Sequence, residues 1–178
     1  MSTQLKEKIN ISVDNIEKLT EVDLADLCNI TEQAIKAGGG FGWLRVPTRD
    51  ILIDYWTKRT NDKYIKLIVG RLNGVIAGTL QLTYEAPNIE ARKNIAQIRR
   101  QFVAPWARGY GLAKTMIDHT ENIAKEDNIK SLQLAVRETQ EAAIKLFTNK
   151  NYIKWGENPF YAFINGSFIK GYYYYKNL

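Results

Sequence analysis

The stretch over residues 103–113 reads Val-Ala-Pro-Trp-Ala-Arg-Gly-Tyr-Gly-Leu-Ala and passes from an apolar run through glycines into a helix-forming sequence. N–H groups at a helix start lack acceptors within the helix, and the helix dipole adds partial positive charge there. Glycines let a phosphate approach the backbone closely, and Arg108 can add a charge-assisted hydrogen bond. The spacing therefore predicts a diphosphate-binding turn.

Two common nucleotide-binding motifs do not fit this turn. A P-loop requires Gly-Lys followed by Ser or Thr after four intervening residues, and a dinucleotide fingerprint requires G-x-G-x-x-G. Neither pattern is present at residues 103–113. The structural alternative is an ordinary glycine-containing turn before a helix.

The composition is that of one folded domain. The chain has 178 residues, of which 45% are hydrophobic and 25% are charged, so residues 1–178 are expected to form a single domain. The net charge of +6 suits a polyphosphate ligand, and the basic residues are dispersed, so no nucleic-acid partner is expected. The sequence has no long apolar stretch and no apolar signal core, which predicts no membrane partner and a cytoplasmic location.

Apolar periodicity predicts alternating strands and helices. Thr20 with Asp23 resembles a helix capping box, and Asn73-Gly74 and Asn165-Gly166 suit two-residue hairpin turns. The predicted order is a strand near 9–13, helices over 20–37 and 48–59, strands over 64–72, 75–83 and 95–103, a helix over 109–126, a strand over 132–136, a helix over 142–151, and strands over 152–155, 160–164 and 167–175.

The strand over residues 95–103 alternates imperfectly. Ala96, Ile98 and Phe102 share a face with Arg100, whereas Val103 falls on the other face. This pattern indicates either a β-bulge or a strand covered on both faces.

The diphosphate-binding turn resembles the signature Q/R-x-x-G-x-G/A of the GNAT acetyltransferases, which is matched by Arg108, Gly111 and Ala113. Residues 140–147 are similar to the second family signature, N-x-x-A-x-x-L-Y, and the predicted element order agrees with the family. The resemblance implies an α/β fold of the GNAT acyl-CoA N-acyltransferase type, with a mixed, mostly antiparallel, twisted central sheet flanked by helices. It also implies acetyl-CoA as co-substrate.

The resemblance implies a set of residues around acetyl-CoA. The end of the strand at Phe102 and Val103 would supply a backbone N–H to the oxyanion that forms at the thioester carbonyl. No metal ligands are expected. The implied cofactor-binding residues are Phe102, Val103, Arg108, Gly109, Tyr110, Gly111, Leu112, Ala113, Gln140 and Phe147.

The proton-handling residues of the family are replaced in this chain. Phe147 stands where many relatives have the tyrosine that protonates the leaving thiolate, and Gln97 stands where many have a glutamate. Tyr161, Tyr152 and Glu85 are the leading substitutes for acid and base, followed by Tyr110, Glu90 and Glu138, although each also suits a surface or packing role. Positioning of the two substrates alone is a further alternative.

The acceptor pocket is predicted at the loop over residues 38–44. Phe41 and Trp43 would form an apolar wall, with Tyr161 nearby. The alternative is a tight turn between helices that carries two core aromatics. The run Tyr172 to Tyr175 is expected to be a sheet strand buried on one side. As an edge strand it could instead pair with a second subunit, so a homodimer is one expectation.

A closer resemblance, carried by residues 38–44, 68–82 and 156–162, is to the subgroup that includes the tabtoxin-resistance acetyltransferases. Those enzymes acetylate amines on small molecules. The expected function is transfer of the acetyl group of acetyl-CoA to a primary amine of a small molecule by direct attack on the thioester. The alternatives are a protein or peptide N-acetyltransferase and a non-catalytic module that binds acyl-CoA.

Overall fold

A computed structural model describes residues 9–39 and 41–178. Two short 3₁₀ turns lie at Glu90–Arg92 and Pro105–Ala107. The remaining elements are β1 (Ile11–Ile16), α1 (Glu21–Lys36), α2 (Arg49–Thr60), β2 (Ile65–Leu72), β3 (Val75–Tyr84), β4 (Ile95–Val103), α3 (Leu112–Glu126), β5 (Ser131–Arg137), α4 (Glu141–Asn149), β6 (Ile153–Ile164) and β7 (Ser167–Asn177).

The strands form one seven-stranded sheet in the order β1-β2-β3-β4-β5-β7-β6. Neighbouring strands are antiparallel except β4 and β5, which are parallel. The predicted α/β architecture, a mixed and mostly antiparallel sheet flanked by helices, is therefore confirmed.

Strand β2 is buried on both faces of the sheet. Leu67 and Val69 of β2 belong to a core cluster that includes Trp56 of α2, whereas Ile68 belongs to a second cluster that includes Ile117 of α3. Successive residues of a strand point to opposite faces of the sheet. Helices packed on both faces thus explain why β2 is apolar throughout.

The helix caps and hairpin turns form as predicted. The hydroxyl oxygen of Thr20 accepts a hydrogen bond of 3.1 Å from the Asp23 N–H at the start of α1. Asn73 and Gly74 have φ angles of 51° and 87°, and the Asn165-Gly166 pair has angles of 50° and 82°. A type I′ turn requires positive φ at both central residues, which asparagine and glycine tolerate.

The C-terminal strands differ from the prediction. The two expected strands over residues 152–155 and 160–164 form one strand, β6, whose pairing with β7 slips between Asn158 and Ala162. The tyrosine run lies in β7, which pairs with both β5 and β6. The run therefore lies in an interior strand of the sheet, and the edge that could pair with a second subunit is β6.

Candidate active site

The turn between β4 and α3 is longer than its sequence predicts. Pro105–Ala107 form a 3₁₀ turn, Arg108 is extended, and α3 begins at Leu112 after Gly111 as N-cap. The predicted helix start at residue 109 was thus three residues too early. Gly109 and Gly111 have φ angles of 87° and 81°, which side-chain-bearing residues rarely adopt. The backbone itself therefore requires both glycines.

The start of α3 offers donors to an anion. The first hydrogen bond of the helix is donated by the Thr115 N–H to the Gly111 carbonyl, at 3.1 Å. The N–H groups of the three preceding residues consequently have no acceptor within the helix. Arg108 beside them is exposed, and over residues 9–39 and 41–178 it forms no ion pair. These groups fit a diphosphate.

Two further glycines hold α3 close to the sheet. Gly70 of β2 and Gly78 of β3 pair across the strands. A Cβ atom on Gly70 would lie 2.6 Å from Cδ1 of Leu112, and one on Gly78 would lie 3.0 Å from Cε of Met116. The first turns of α3 therefore rest directly on backbone, and the diphosphate-binding turn has a fixed height above the sheet.

A cavity of about 800 Å³, hereafter the turn cavity, adjoins this turn. Its walls come from the end of α1, the end of β4, the diphosphate-binding turn and the start of α4. Eight of the ten predicted cofactor-binding residues line it, namely Phe102, Val103, Arg108, Gly109, Gly111, Leu112, Ala113 and Gln140. The other two do not: Tyr110 is 47% exposed outside the cavity, and Phe147 lines a neighbouring one.

The sheet opens between β4 and β5. These strands pair only over three residues each, from Ile95 and Ser131 to Gln97 and Gln133. Beyond this point β4 continues beside β3, and β5 continues beside β7. A gap therefore separates the carboxyl ends of the two parallel strands.

A β-bulge shapes the β4 side of the gap. Thr79 of β3 pairs with Phe102, and Gln81 pairs with Arg99, so two residues of β4 face one residue of β3. Arg100, within the bulge, has a φ angle of 52°. The bulge explains the imperfect alternation of this strand, and it leaves backbone groups at the gap outside the ladder.

Two smaller cavities occupy the gap. The gap cavity, of about 460 Å³, shares Gln101, Gln140 and Ala143 with the turn cavity. The tyrosine cavity, of about 500 Å³, lies beside it and shares Tyr161 and Arg99 with it. The three cavities therefore adjoin one another from the diphosphate-binding turn to the opening in the sheet.

Tyr161 is the one of the three leading catalytic candidates that borders the gap. It lies in the irregular part of β6 and lines both smaller cavities. Its side chain folds over Gly171 of β7, where an added Cβ atom would lie 2.7 Å from Cβ of Tyr161 and would overlap its ring. The missing side chain at Gly171 is thus what allows Tyr161 to reach the gap.

Tyr152 lies in the core. It is 4% exposed, packs edge-on against Phe147 with ring centroids 5.1 Å apart, and lines none of the three cavities. Burial, together with the neighbouring Glu121, raises the pKa of its hydroxyl far above the ordinary value. A buried phenol of this kind is a packing residue rather than a proton donor at the gap.

The carboxylate candidates also lie outside the cavities. Glu85 accepts a hydrogen bond of 2.9 Å from Nε of Arg92, and Glu138 accepts one of 2.9 Å from the Lys170 N–H. Gln97 borders the tyrosine cavity, where its side-chain oxygen accepts a hydrogen bond of 2.9 Å from Nε of Arg99. Among the described residues, no Asp or Glu lines the gap cavity or the tyrosine cavity.

The aromatic pair of the 38–44 loop packs inward. Phe41 is 3% exposed and stacks on Trp43 with a centroid distance of 5.3 Å. Both rings also contact Tyr55 of α2, so the predicted apolar wall is a core cluster. The loop residues that line the gap cavity are instead Gly42 and Leu44.

Arginines are the site residues that sequence reasoning missed. Arg99, Arg100 and Arg137 line the gap cavity. In the sequence, Arg99-Arg100 is only one of several basic pairs. The one available signal was the imperfect alternation of apolar and polar residues around Arg100, because it indicated a β-bulge in this strand.

Membrane-spanning helices and groups of metal ligands would also indicate the class of site. Within the described ranges, no helix combines the length and apolar character needed to cross a membrane. In the same part of the chain, no three His, Cys, Asp or Glu side chains are grouped as metal ligands would be.

Comparison with known sequences agrees with this geometry. Residues 28–151 match the model of the Acetyltransferase (GNAT) family. An uncharacterized N-acetyltransferase from the hisH-hisA intergenic region of Azospirillum brasilense is 44% identical over 131 residues, which cover 74% of this chain and 78% of the relative.

Solved structures share the fold at lower identity. The ribosomal-protein-alanine N-acetyltransferase of Brucella melitensis is 18% identical, with a TM-score of 0.78 and coverage of 94% of this chain and 99% of the other. The yncA protein of Salmonella typhimurium, solved with its cofactor acetyl-CoA, is 14% identical, with a TM-score of 0.76 and coverage of 94% of both chains. With its family signature on a glycine turn beside an opened sheet, the chain belongs to the GNAT family of acetyltransferases.

Proposed function

We propose that this acetyltransferase moves the acetyl group of acetyl-CoA to a primary amine of a small molecule. The main support is a series of adjoining cavities, which begins at the Gly109–Gly111 turn and ends in the gap between β4 and β5. This series provides one place for a diphosphate, one for a thioester and one for an acceptor.

Acetyl-CoA would bind with its diphosphate on the turn. The N–H groups at the start of α3 and the Arg108 guanidinium would hold the phosphate oxygens. The rest of the molecule would follow the turn cavity past Gln140 toward the gap. A cavity of about 800 Å³ is within the range of small-molecule sites.

The chemical step requires charge stabilisation at the gap. Attack of the amine on the thioester carbonyl places negative charge on its oxygen, and preorganised N–H groups stabilise such charge. We assign this role to backbone N–H groups near Phe102, at the end of the bulge in β4. The bulge supports this assignment because it removes backbone groups from ladder pairing.

Protonation of the leaving thiolate requires an acid, and Tyr161 is our candidate. It borders both smaller cavities, whereas Tyr152 is buried elsewhere and Glu85 is paired with Arg92. If its neutral fraction binds, the amine needs no carboxylate base before attack, and the proton that its nitrogen then loses replaces the one that Tyr161 gives to the thiolate. Correct alignment of the two substrates would supply much of the rate enhancement.

The two smaller cavities favour a small acceptor. Each is about 500 Å³ or less and is walled by side chains of β4, β5 and β6. This is consistent with our proposal that the chain belongs to the tabtoxin-resistance-like subgroup. The fold alone does not decide the acceptor, since the Brucella melitensis relative is named for a protein acceptor.

A non-catalytic acyl-CoA-binding module is the second candidate. It is favoured by one observation, that within the described residues the cavities at the gap are lined by no Asp or Glu. Release of the CoA thiol in the presence of amines separates the two candidates.

We also propose a homodimer, in which the edge strand that pairs with the second subunit is β6 rather than β7. Trp155, Phe160 and Phe163 of β6 are each more than half exposed, at 62%, 67% and 59%. Sedimentation at micromolar concentration would detect such a dimer, and a concentration-independent monomer would contradict it.

We also propose a cytoplasmic location, where acetyl-CoA is available.

The test of the proposal is calorimetric binding of acetyl-CoA. We expect Arg108→Glu to weaken binding about 10- to 100-fold, because a charge-assisted hydrogen bond contributes about 1.5–3 kcal/mol. The matched control is Arg45→Glu, an exposed arginine that lines none of the three cavities. Equal affinities in wild type and both variants would remove the diphosphate site and the proposal with it.

A further inference from the structure

Three arginines border the gap without a carboxylate partner. Arg99 lies on β4, Arg100 lies in the bulge, and Arg137 ends β5 on the other side of the gap. Across residues 9–39 and 41–178, none of the three forms an ion pair. A fourth arginine of the tyrosine cavity, Arg92, is neutralised by Glu85 at 2.9 Å.

Neutral acceptors hold two of these guanidinium groups. Nε of Arg99 donates to the side-chain oxygen of Gln97 at 2.9 Å, and Nη1 of Arg100 donates to the Phe41 carbonyl at 2.7 Å. These bonds orient the guanidinium groups without cancelling their charge. The gap therefore has fixed positive charge beside an apolar wall that includes Leu134.

Arg99 and Arg100 are exposed and Arg137 is half-buried. Their positive charges, grouped around one cavity, repel one another, and a bound anion relieves that repulsion. We propose that the acceptor carries a carboxylate or a similar acidic group beside its primary amine. Arg99 and Arg137, on opposite sides of the gap, bind this acidic group while the amine faces the thioester. The proposal rests on the proposed function and names its substrate class: small amino acids and related amino acid analogues.

Arg100, whose charge is not paired with the acidic group of the acceptor, helps to prepare the nucleophile. An ammonium group close to guanidinium groups loses its proton more readily, because like charges disfavour the charged form. This effect compensates for the lack of carboxylates among the described residues of the gap cavity. Polyamines, which bring further positive charge and no anion, are disfavoured as acceptors.

The phosphates of acetyl-CoA are the other source of anions. In our proposal they lie at the diphosphate-binding turn, at the far end of the turn cavity from Arg99. To distinguish the cofactor phosphates from an acidic acceptor as the ligand of Arg99, the affinities for CoA and for dephospho-CoA, which lacks the 3′-phosphate, are measured in wild type and in Arg99→Gln. Arg99→Gln should leave the affinities for both molecules unchanged, whereas a loss of affinity would assign the arginine to the cofactor and overturn the proposal.

The decisive experiment compares matched acceptors. Initial rates of CoA release are measured for a series of L-amino acids, for their carboxamides and for spermidine. Because the ammonium pKa of an amino acid lies well above that of its amide, kcat/KM is corrected for the neutral fraction of each amine at the assay pH. We expect the corrected kcat/KM to favour the acid over its amide about 10- to 100-fold in the wild type, from one or two charge-assisted hydrogen bonds. Arg99→Gln should remove most of that preference, Arg99→Lys should restore part of it, and Arg45→Gln should retain it.

Binding measurements keep the test independent of turnover. N-acetyl amino acids and their amides are titrated into the CoA-loaded protein and into the same variants. If acetyl-CoA binds but no amine is acetylated, the proposed function fails, while tighter binding of the acid than of the amide still supports an anion site. Equal binding or equal rates for acid and amide, or a preference for spermidine, would overturn the inference.

Discussion

The two ends of the site are built from different parts of the polypeptide. At the diphosphate-binding turn the working groups are backbone N–H groups, and glycines at residues 70, 78, 109 and 111 shape the surroundings. At the gap the groups that would contact the acceptor are side chains, brought together from β4, β5 and β6. An end formed by backbone groups suits the diphosphate of the cofactor, which is the same in every reaction. An end formed by side chains can be altered by substitution for a new acceptor without disturbing the diphosphate-binding turn.

This comparison predicts that variants at the two ends fail in different ways. Damage at the turn should lower affinity for acetyl-CoA, whereas damage at the gap should lower turnover with the affinity preserved. A variant that changes both quantities equally would contradict the division.

The largest effect is expected from Gly171→Ala. The new Cβ would lie 2.7 Å from Cβ of Tyr161 and would overlap its ring, so the ring must leave its place at the gap. A displacement of about 1 Å of a reacting group can cost about 100-fold in rate, and we expect a fall in kcat of that order. Steady-state kinetics and calorimetry check this, with acetyl-CoA affinity expected to stay within about twofold.

The control for this prediction is Gly156→Ala. Gly156 also lies in the C-terminal hairpin, but a Cβ there would meet no atom within 4 Å. Its kcat should match the wild type. A normal kcat in Gly171→Ala would remove Tyr161 from the proposed chemistry.

A smaller effect is expected from Gly70→Ala at the other end. The added methyl would crowd the buried Leu112 at 2.6 Å and must lift the first turn of α3. Overpacking of this kind costs about 1–3 kcal/mol of stability. We expect a lower urea midpoint and weaker acetyl-CoA binding, while kcat at saturating acetyl-CoA falls much less than in Gly171→Ala. If the folded variant bound acetyl-CoA with unchanged affinity, the position of α3 would not control cofactor binding.

The same division explains what the sequence could predict. The turn was predictable because its parts are contiguous in the chain: a strand end, Arg108, two glycines and a helix start within ten residues. The hairpins were predictable for the same reason, since Asn-Gly dipeptides determine local backbone angles. Only the first helical residue was misplaced, because the 3₁₀ turn at Pro105–Ala107 carries no strong local signature.

The gap could not be derived in this way. Whether Phe41 lines a pocket or the core depends on α2 packing against the loop, and whether the tyrosine run is an edge depends on where β6 pairs. Both are long-range outcomes. Arg99 and Arg137 are 38 positions apart, so their meeting at one cavity follows from the sheet order rather than from any motif.

The smallest effect is expected in a third region, which lies on the outer side of α3. Asp118 there pairs with Lys150, whose Nζ also lies 3.7 Å from Glu121. Burial alone would raise the pKa of Asp118, but the hydrogen bonds and positive charges of Lys150 and Lys114 together outweigh burial, and the pKa is lower than usual. A carboxylate with a lowered folded-state pKa stabilises the protein above its unfolded pKa, about 3.9, and this contribution disappears as the pH falls through the folded value.

Lys150→Gln should therefore lower the free energy of unfolding at pH 7 by about 1 kcal/mol or less, as partly exposed ion pairs do. The difference from wild type should shrink as the pH falls below about 4, because Asp118 becomes protonated in both proteins at low pH. Urea unfolding across this range measures it, with the exposed Lys145→Gln as control. Because neither Lys150 nor Asp118 lines any of the three cavities, acetyl-CoA affinity and the preference for acidic acceptors should both be unchanged. A change in either would mean that α3 transmits strain from its outer side to the diphosphate-binding turn, and the two ends could then not be treated as independent.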